Sequence, residues 1–363
     1  MSQNKEAIQF LSRIANLPKG SVSLDAVLQP SLDDEAELRR LFATDKGNAR
    51  LKDIHVGLVD VFAAPSDIRT TRARVVNGDA DRDAQYVMPL PDFQRRKEGS
   101  PAMVDNLETF NKNWNIFTEG SLSQLSDWSN VVAAGGSVQA CLVPLPKAAT
   151  ASKRAMRKHY HDKAFPSSDV DLFLYGLTPQ EVRDAPFFIS FFADAFFFGR
   201  PSARLLPFMK LFATPFLGTL FVLEQSIRFQ FIVSGLWYPS SILFTKLLAQ
   251  YPYRSVQIVL RLYNSPAEIL AGFDVDAPCC AYDGNRVWAN PRAIISMMRQ
   301  SNTVDVTRRS PSYEVRLAKY SSRGFEIYVP ELNRGEIDPT VCQVHLFISR
   351  SANTPIKDLR TFY

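Results

Sequence analysis

The chain has 363 residues, of which 46% are hydrophobic and 22% charged, and a formal net charge of +5. Those are globular values, which exclude a disordered or low-complexity protein, and the length holds one large domain or two ordinary ones. The mild basicity suits a polyanionic ligand without marking the chain as a nucleic-acid binder.

Cys141, Cys279, Cys280 and Cys342 have no Cys-x-x-Cys or Cys/His spacing. They read as free thiols of a reducing compartment rather than as a zinc site or a disulfide framework. Lys5, Glu6 and Arg13 interrupt the first twenty residues, so no signal peptide is expected there, and an intracellular location, cytoplasmic or nuclear, is expected.

In chain order, residues 7–15 read as an amphipathic helix ended by Pro18 and Gly20. A second helix is expected over 32–43, with Ser31 as N-cap. Asp33, Asp34 and Glu35 in its first turn and Arg39 and Arg40 later complement the helix dipole. Residues 77–83 carry Asp79, Asp81 and Asp83 but lack the glycine and distal glutamate of a calcium loop, so they read as solvated. Pro89 and Pro91, with Arg95, Arg96 and Lys97 after them, read as a linker that separates an N-terminal helical or irregular region, 1–104, from the rest of the chain. Residues 103–110 read as a helix, with Trp114, Phe117 and Trp128 as anchors on a sheet.

Residues 131–134 form a short apolar strand, Gly135-Gly136 a turn, and Ser137 the start of a helix that stops before Pro144. Open backbone N–H groups at a helix start suit a phosphate. The stretch 147–163 is basic and carries His159 and His161; it reads equally as an electrostatic collar for a nucleotide or as a solvated loop. Asp169-Val170-Asp171 then enters an apolar, aromatic run expected to be a buried strand. Alternation puts Asp169 and Asp171 on one face. Two neighbouring carboxylates there are costly without a cation between them, and a hard divalent ion held by oxygen ligands is the usual one.

Residues 186–250 differ from the rest: they hold more than half of the 26 phenylalanines. No clean run of about 20 apolar residues is present, as a membrane span needs. The readings left open are a membrane-associating hairpin, a hydrophobic helical insert in the core, or a mistranslated stretch never selected as protein. Strand signals resume at 255–263, Ser265-Pro266 caps a short helix, and 273–282 reads as a strand ended by the Asp283-Gly284 turn. Residues 291–299 read as a helix, and so do 311–322, on which Arg316, Lys319 and Arg323 line up at i, i+3 and i+7. A strand over 343–348 precedes a loose tail, within a C-terminal segment 331–363.

Gly136-Ser137 at a helix start, then Ser168-Asp169-Val170-Asp171 and then Asp274-Val275-Asp276, resembles the nucleotidyltransferase superfamily with the DNA polymerase beta-like catalytic fold. Residues 114–136 and 251–291 look like the form found beside ankyrin repeats in large eukaryotic proteins, although no ankyrin repeat is visible here. The basic excursion between the two motifs departs from the family pattern. The resemblance covers roughly 105–330. It implies a mixed α/β (α+β) sheet with flanking helices, its core split into 105–185 and 251–330 by the insert.

It further implies a magnesium-dependent transfer of a nucleoside monophosphate from a nucleoside triphosphate to an unknown acceptor. Two Mg2+ ions would sit on Asp169, Asp171 and a third carboxylate, Asp276 in preference to Asp274. Gly135, Gly136, Ser137, Arg316, Lys319 and Arg323 would hold phosphates. The acceptor is left open, nucleic acid included, and a membrane contact only through 186–250. The alternative is a catalytically inactive module of the same fold that binds a nucleotide or a protein.

Overall fold

The computed structural model describes residues 3–18, 24–74, 85–123, 125, 127–178, 223–224, 227–232, 244–248 and 254–336. Helix α1 (Lys5–Ala15) opens on Asn4, whose Oδ1 accepts from Ala7 N at 2.8 Å. Its amide donates to the His55 and Leu58 carbonyls at 2.7 Å each. Spacing puts Ala7, Phe10 and Ile14 on one buried face. Helix α2 (Asp25–Thr44) starts earlier than Ser31, with Pro30 inside it. Burial of Val27 and Leu28 on the extra turns offsets the hydrogen bond that proline cannot donate. Ser31 is therefore no cap; its Oγ accepts from Arg13 at 2.6 Å.

Next in the chain are two short strands, β1 (Val59–Asp60) and β2 (Tyr86–Val87). Helix α3 (Leu107–Thr118) begins at Asn106, whose Oδ1 caps Thr109 N at 2.8 Å, and so runs later than 103–110. Then come β3 (Val131–Ala134), α4 (Gly136–Leu142), α5 (Lys147–Thr150), α6 (Lys153–Lys158) and a π-helical turn, His159–Ala164. The basic excursion is thus helical rather than a loop. Strand β4 (Val170–Tyr175) carries Asp171 and begins one residue after Asp169.

Three further strands, β5 (Leu223–Glu224), β6 (Ile227–Ile232) and β7 (Phe244–Leu248), fall in the phenylalanine-rich stretch. The described parts of that stretch are strands, not the expected helical insert. The alternation Ile227, Phe229, Phe231 against Arg228 and Gln230 has the period of a strand. Most of 186–250 lies outside the described residues, as do the acidic loop 77–83 and the strand 343–348.

After β8 (Val256–Tyr263), α7 (Pro266–Ala271) starts with Ser265 Oγ accepting from Glu268 N at 3.2 Å. The pair β9 (Cys280–Tyr282) and β10 (Val287–Ala289) is the expected hairpin. Helix α8 (Pro291–Arg299), β11 (Ser301–Thr303), α9 (Tyr313–Ser321) and β12 (Glu326–Tyr328) complete the described chain.

The main sheet has the order β1-β10-β9-β3-β4-β8-β7-β6-β5, with β4 and β8 parallel and every other pair antiparallel. It is the mixed α/β fold expected. On one face Val131, Ala133, Leu172 and Leu174 pack with Phe110 and Phe117 of α3, Leu142 of α4 and Ile294 of α8. On the other, Val132, Ala134, Phe173 and Trp288 pack with Leu38 and Leu41 of α2 and Leu270 of α7.

The expected strand 273–282 is shorter than the sequence suggests. Residues 274–279 turn instead: Cys279 N donates to Asp276 O at 2.9 Å and Cys280 N to Pro278 O at 2.7 Å, so pairing begins only at Cys280. Nor does the expected boundary near 104 separate two bodies. Strand β1 extends the main sheet, and β2 joins β12 in a second sheet of order β11-β12-β2. Among the described residues no helix is long and apolar enough to cross a membrane.

Candidate functional site

The end of β3 is shaped by two glycines. Gly135 has φ 93° and ψ −145°, a region that in practice only glycine occupies. Its N–H donates to Cys280 O at 3.0 Å, tying the turn to β9. A Cβ on Gly135 would lie 3.4 Å from the Phe273 ring and 4.0 Å from Asp171 Oδ2. A Cβ on Gly136 would meet Tyr320 Oη at 3.0 Å and Arg323 Nη1 at 3.2 Å. The double glycine therefore lets α9 and the Asp171 carboxylate close on the start of α4.

Helix α4 has seven residues, too few for its backbone ends to carry the site, so side chains decide. Ser137 is 2% exposed, and its Oγ has no hydrogen-bond partner. Arg323 Nη1 is likewise buried and without one, while the guanidinium as a whole is held by a side-chain hydrogen bond to Tyr320. A buried donor left unpaired is costly, and such an orphan is a place where a water, an ion or a ligand atom can sit. The Arg323 guanidinium also lies over the rings of Phe165, at 4.7 Å, and Tyr320, at 5.3 Å, and burial pushes its pKa down.

Asp171 is opposite Ala134 in the β3–β4 register, which places it beside the Gly135 turn. Asp169 precedes the strand, two residues back. Both are half-buried. Lys319 of α9 belongs to the same corner. Desolvation, then Arg323, lowers its pKa, while Asp171 and Asp169 pull it up.

The aspartate strand is seated by a residue that sequence reasoning missed. Arg254 is 5% exposed and donates to four carbonyls: Phe117 at 2.9 Å, Tyr160 at 2.8 Å, Phe165 at 2.7 Å and Ser168 at 2.8 Å. It stacks 3.9 Å from the Phe117 ring. Burial pushes its pKa down to about 10, with Asp169 among the groups opposing that fall. Arg254 thus fixes the peptide just before Asp169. Nothing local in Tyr253-Arg254-Ser255 announces this, because all four acceptors come from distant residues.

The third carboxylate does not join the pair. Asp274 accepts from Arg316 Nη1 at 2.8 and 2.9 Å and from Ser310 Oγ at 2.6 Å. Asp276 accepts from Arg292 Nη1 at 3.2 Å and from Thr303 N at 2.8 Å. Arg292, 1% exposed, also donates to both oxygens of Glu35 at 3.2 Å, and Arg308 reaches Glu35 at 2.8 Å. With 274–279 in a turn, strand alternation no longer aims these acids at Asp169 and Asp171. Among the described residues no group of three or more His, Cys, Asp or Glu could hold a metal ion.

Arg316, grouped by spacing with Lys319 and Arg323, is engaged by Asp274 instead. Two carboxylates fall short of the acids that a two-ion site takes, and Asp274 and Asp276, engaged by Arg316 and Arg292, do not add a third.

The basic excursion is partly tied down. Arg157 grips Glu119 with two bonds of 2.5 Å, and His161 Nε2 lies 3.2 Å from the same carboxylate, so His159 and His161 form no metal site with each other. Lys147, Lys153, Arg154, Lys158 and Lys163 stay exposed. The thiols of Cys141, Cys279 and Cys280 are fully buried, which pushes each pKa up and makes them inert.

No family model matches the chain, and no solved structure matches it. Over 101 aligned residues the chain is 37% identical to an uncharacterized protein of Acanthamoeba polyphaga mimivirus. The match covers 26% of this chain and 22% of the viral protein, so the chain spans about a fifth of the length of that curated relative.

Proposed function

We propose that the protein is a nucleotidyltransferase-like module that binds a nucleoside triphosphate with one Mg2+ and does not turn it over. One observation carries this reading: Ser137 Oγ and Arg323 Nη1 are buried without partners beside the Gly135-Gly136 turn, while both candidates for the third carboxylate are closed by arginines. Ser137 and Arg323 hold one phosphate, and Lys319 screens the next. Asp169 and Asp171 hold the ion, which neutralises phosphate charge when bound. A two-ion transfer needs a further acid that Asp274 and Asp276 do not supply in this arrangement.

A thermal-shift panel of nucleoside triphosphates, with and without Mg2+, tests the reading. The expected result is stabilisation that grows with Mg2+ and no pyrophosphate release on prolonged incubation. Catalytic pyrophosphate release would establish the transferase instead. Absence of any shift across the panel would remove the nucleotide from the account.

A further inference from the structure

We propose that Arg316 selects a phosphate chain over a single phosphate at this site, and that Asp274 withholds Arg316 until such a chain arrives. The inference rests on the nucleotide-binding reading above.

Arg316 and Lys319 stand at i and i+3 on α9 and so leave one face of it, and Arg323 follows two residues past its end, seven residues or about 10 Å of chain along from Arg316. One end of that row is seated on the double glycine. Arg323 Nη1 lies 3.2 Å from the place of a Gly136 Cβ, buried and without a hydrogen-bond partner. The other end reaches Asp274, and the loop that carries Asp274 touches the site as well: Phe273 packs against Gly135.

The Arg316–Asp274 contact is built to be exchanged. Arg316 is 46% exposed on its side chain, and a single nitrogen, Nη1, serves both carboxylate oxygens, at 2.8 and 2.9 Å. Nη2 is turned aside to Ser312 Oγ at 2.8 Å. The guanidinium, not the carboxylate, is the exposed partner; it grips Asp274 with one nitrogen rather than the two-nitrogen fork, and a terminal phosphate offers it more acceptors at better angles.

One phosphate at Ser137 and Arg323 meets the Arg323 end of the row alone. A chain that continues past Lys319 reaches Arg316. When Arg316 moves to the chain, Asp274 keeps the bond from Ser310 Oγ at 2.6 Å but remains a carboxylate only 7% exposed. That residual cost means the exchange is driven only by a ligand long enough to make the new contact.

Calorimetric titration with orthophosphate, pyrophosphate and tripolyphosphate separates the possibilities, because these probes differ only in chain length. In the wild type, affinity should rise along the series. Arg316→Gln should lower tripolyphosphate affinity about tenfold while changing orthophosphate less than twofold. Asp274→Asn, which keeps the side-chain shape and frees Arg316, should raise tripolyphosphate affinity severalfold. Arg323→Gln should weaken all three. Equal affinities of the wild type for the three probes, an Arg316→Gln loss equal for all, or weaker chain binding by Asp274→Asn would overturn this proposal alone. A wild type that binds none of the three would overturn it together with the reading of the site.

Discussion

Glu35→Gln probes the joint between the N-terminal helix α2 and the loop of Asp274 and Asp276. Glu35 is 4% exposed and accepts from Arg292 with both oxygens at 3.2 Å and from Arg308 at 2.8 Å. Arg292 in turn holds Asp276 at 3.2 Å and the carbonyls of Leu270 and Phe273 at 3.2 and 2.7 Å. Glutamine keeps the volume but removes the charge that two buried guanidinium groups share. Breaking a buried pair by removing one partner costs about 3–5 kcal/mol, since the surviving charge stays out of water. With a melting entropy near 2.1 cal/mol/K per residue over the 255 described residues, Tm should fall by about 6–9 °C. Differential scanning fluorimetry measures this directly. A fall of less than about 1 °C would refute the claim that α2 and the candidate-site loop share one buried ion network, and would return residues 1–104 to a separate region.

Gly136→Ala should lower stability little, because its Cβ meets the ends of two side chains, but it should displace Arg323 and weaken phosphate binding; a titration with unchanged affinity would oppose this. Gly135→Ala, forced to φ 93°, should cost about 1–3 kcal/mol in a denaturant titration. His55, His159 and His161 are each pushed below their ordinary 6.5, first by burial, so their folded values lie under their unfolded ones. The folded state then binds fewer protons, and stability is full above about pH 6.5 and falls as pH drops below it, a trend His161→Gln should flatten. Peptide mapping after iodoacetamide at pH 8 should find Cys141, Cys279 and Cys280 unmodified in the native protein and modified after denaturation.

The fold is largely legible where a local pattern and a tertiary demand coincide. Val131–Ala134, Val256–Tyr263 and Pro291–Arg299 read correctly because apolar period and capping residues agree with their burial. The start of helix α2 is hidden because Pro30 is a strong local stop signal that the burial of Val27 and Leu28 overrides. The stretch 273–282 reads as all strand because Asp274-Val275-Asp276 alternates like one. Its ladder is interrupted by the turn bonds of Cys279 and Cys280 and by the buried arginine that claims Asp276.

Within the site, the Gly135–Ser137 turn and the Lys319/Arg323 face are visible as motif and spacing. The roles of Arg254, Arg292 and Arg316 are not, since each depends on acceptors distant in sequence, or on a choice between partners that spacing alone leaves open.

The most direct test of the proposed function is a titration of Mg2+-ATP and Mg2+-GTP into the wild type and Asp171→Asn by calorimetry, with pyrophosphate measured in the same samples. The account predicts saturable binding of at least one nucleotide to the wild type and weaker, Mg2+-independent binding to Asp171→Asn. It predicts no pyrophosphate from either. Binding that ignores both Mg2+ and the substitution, or multiple-turnover release of pyrophosphate by the wild type, would contradict it.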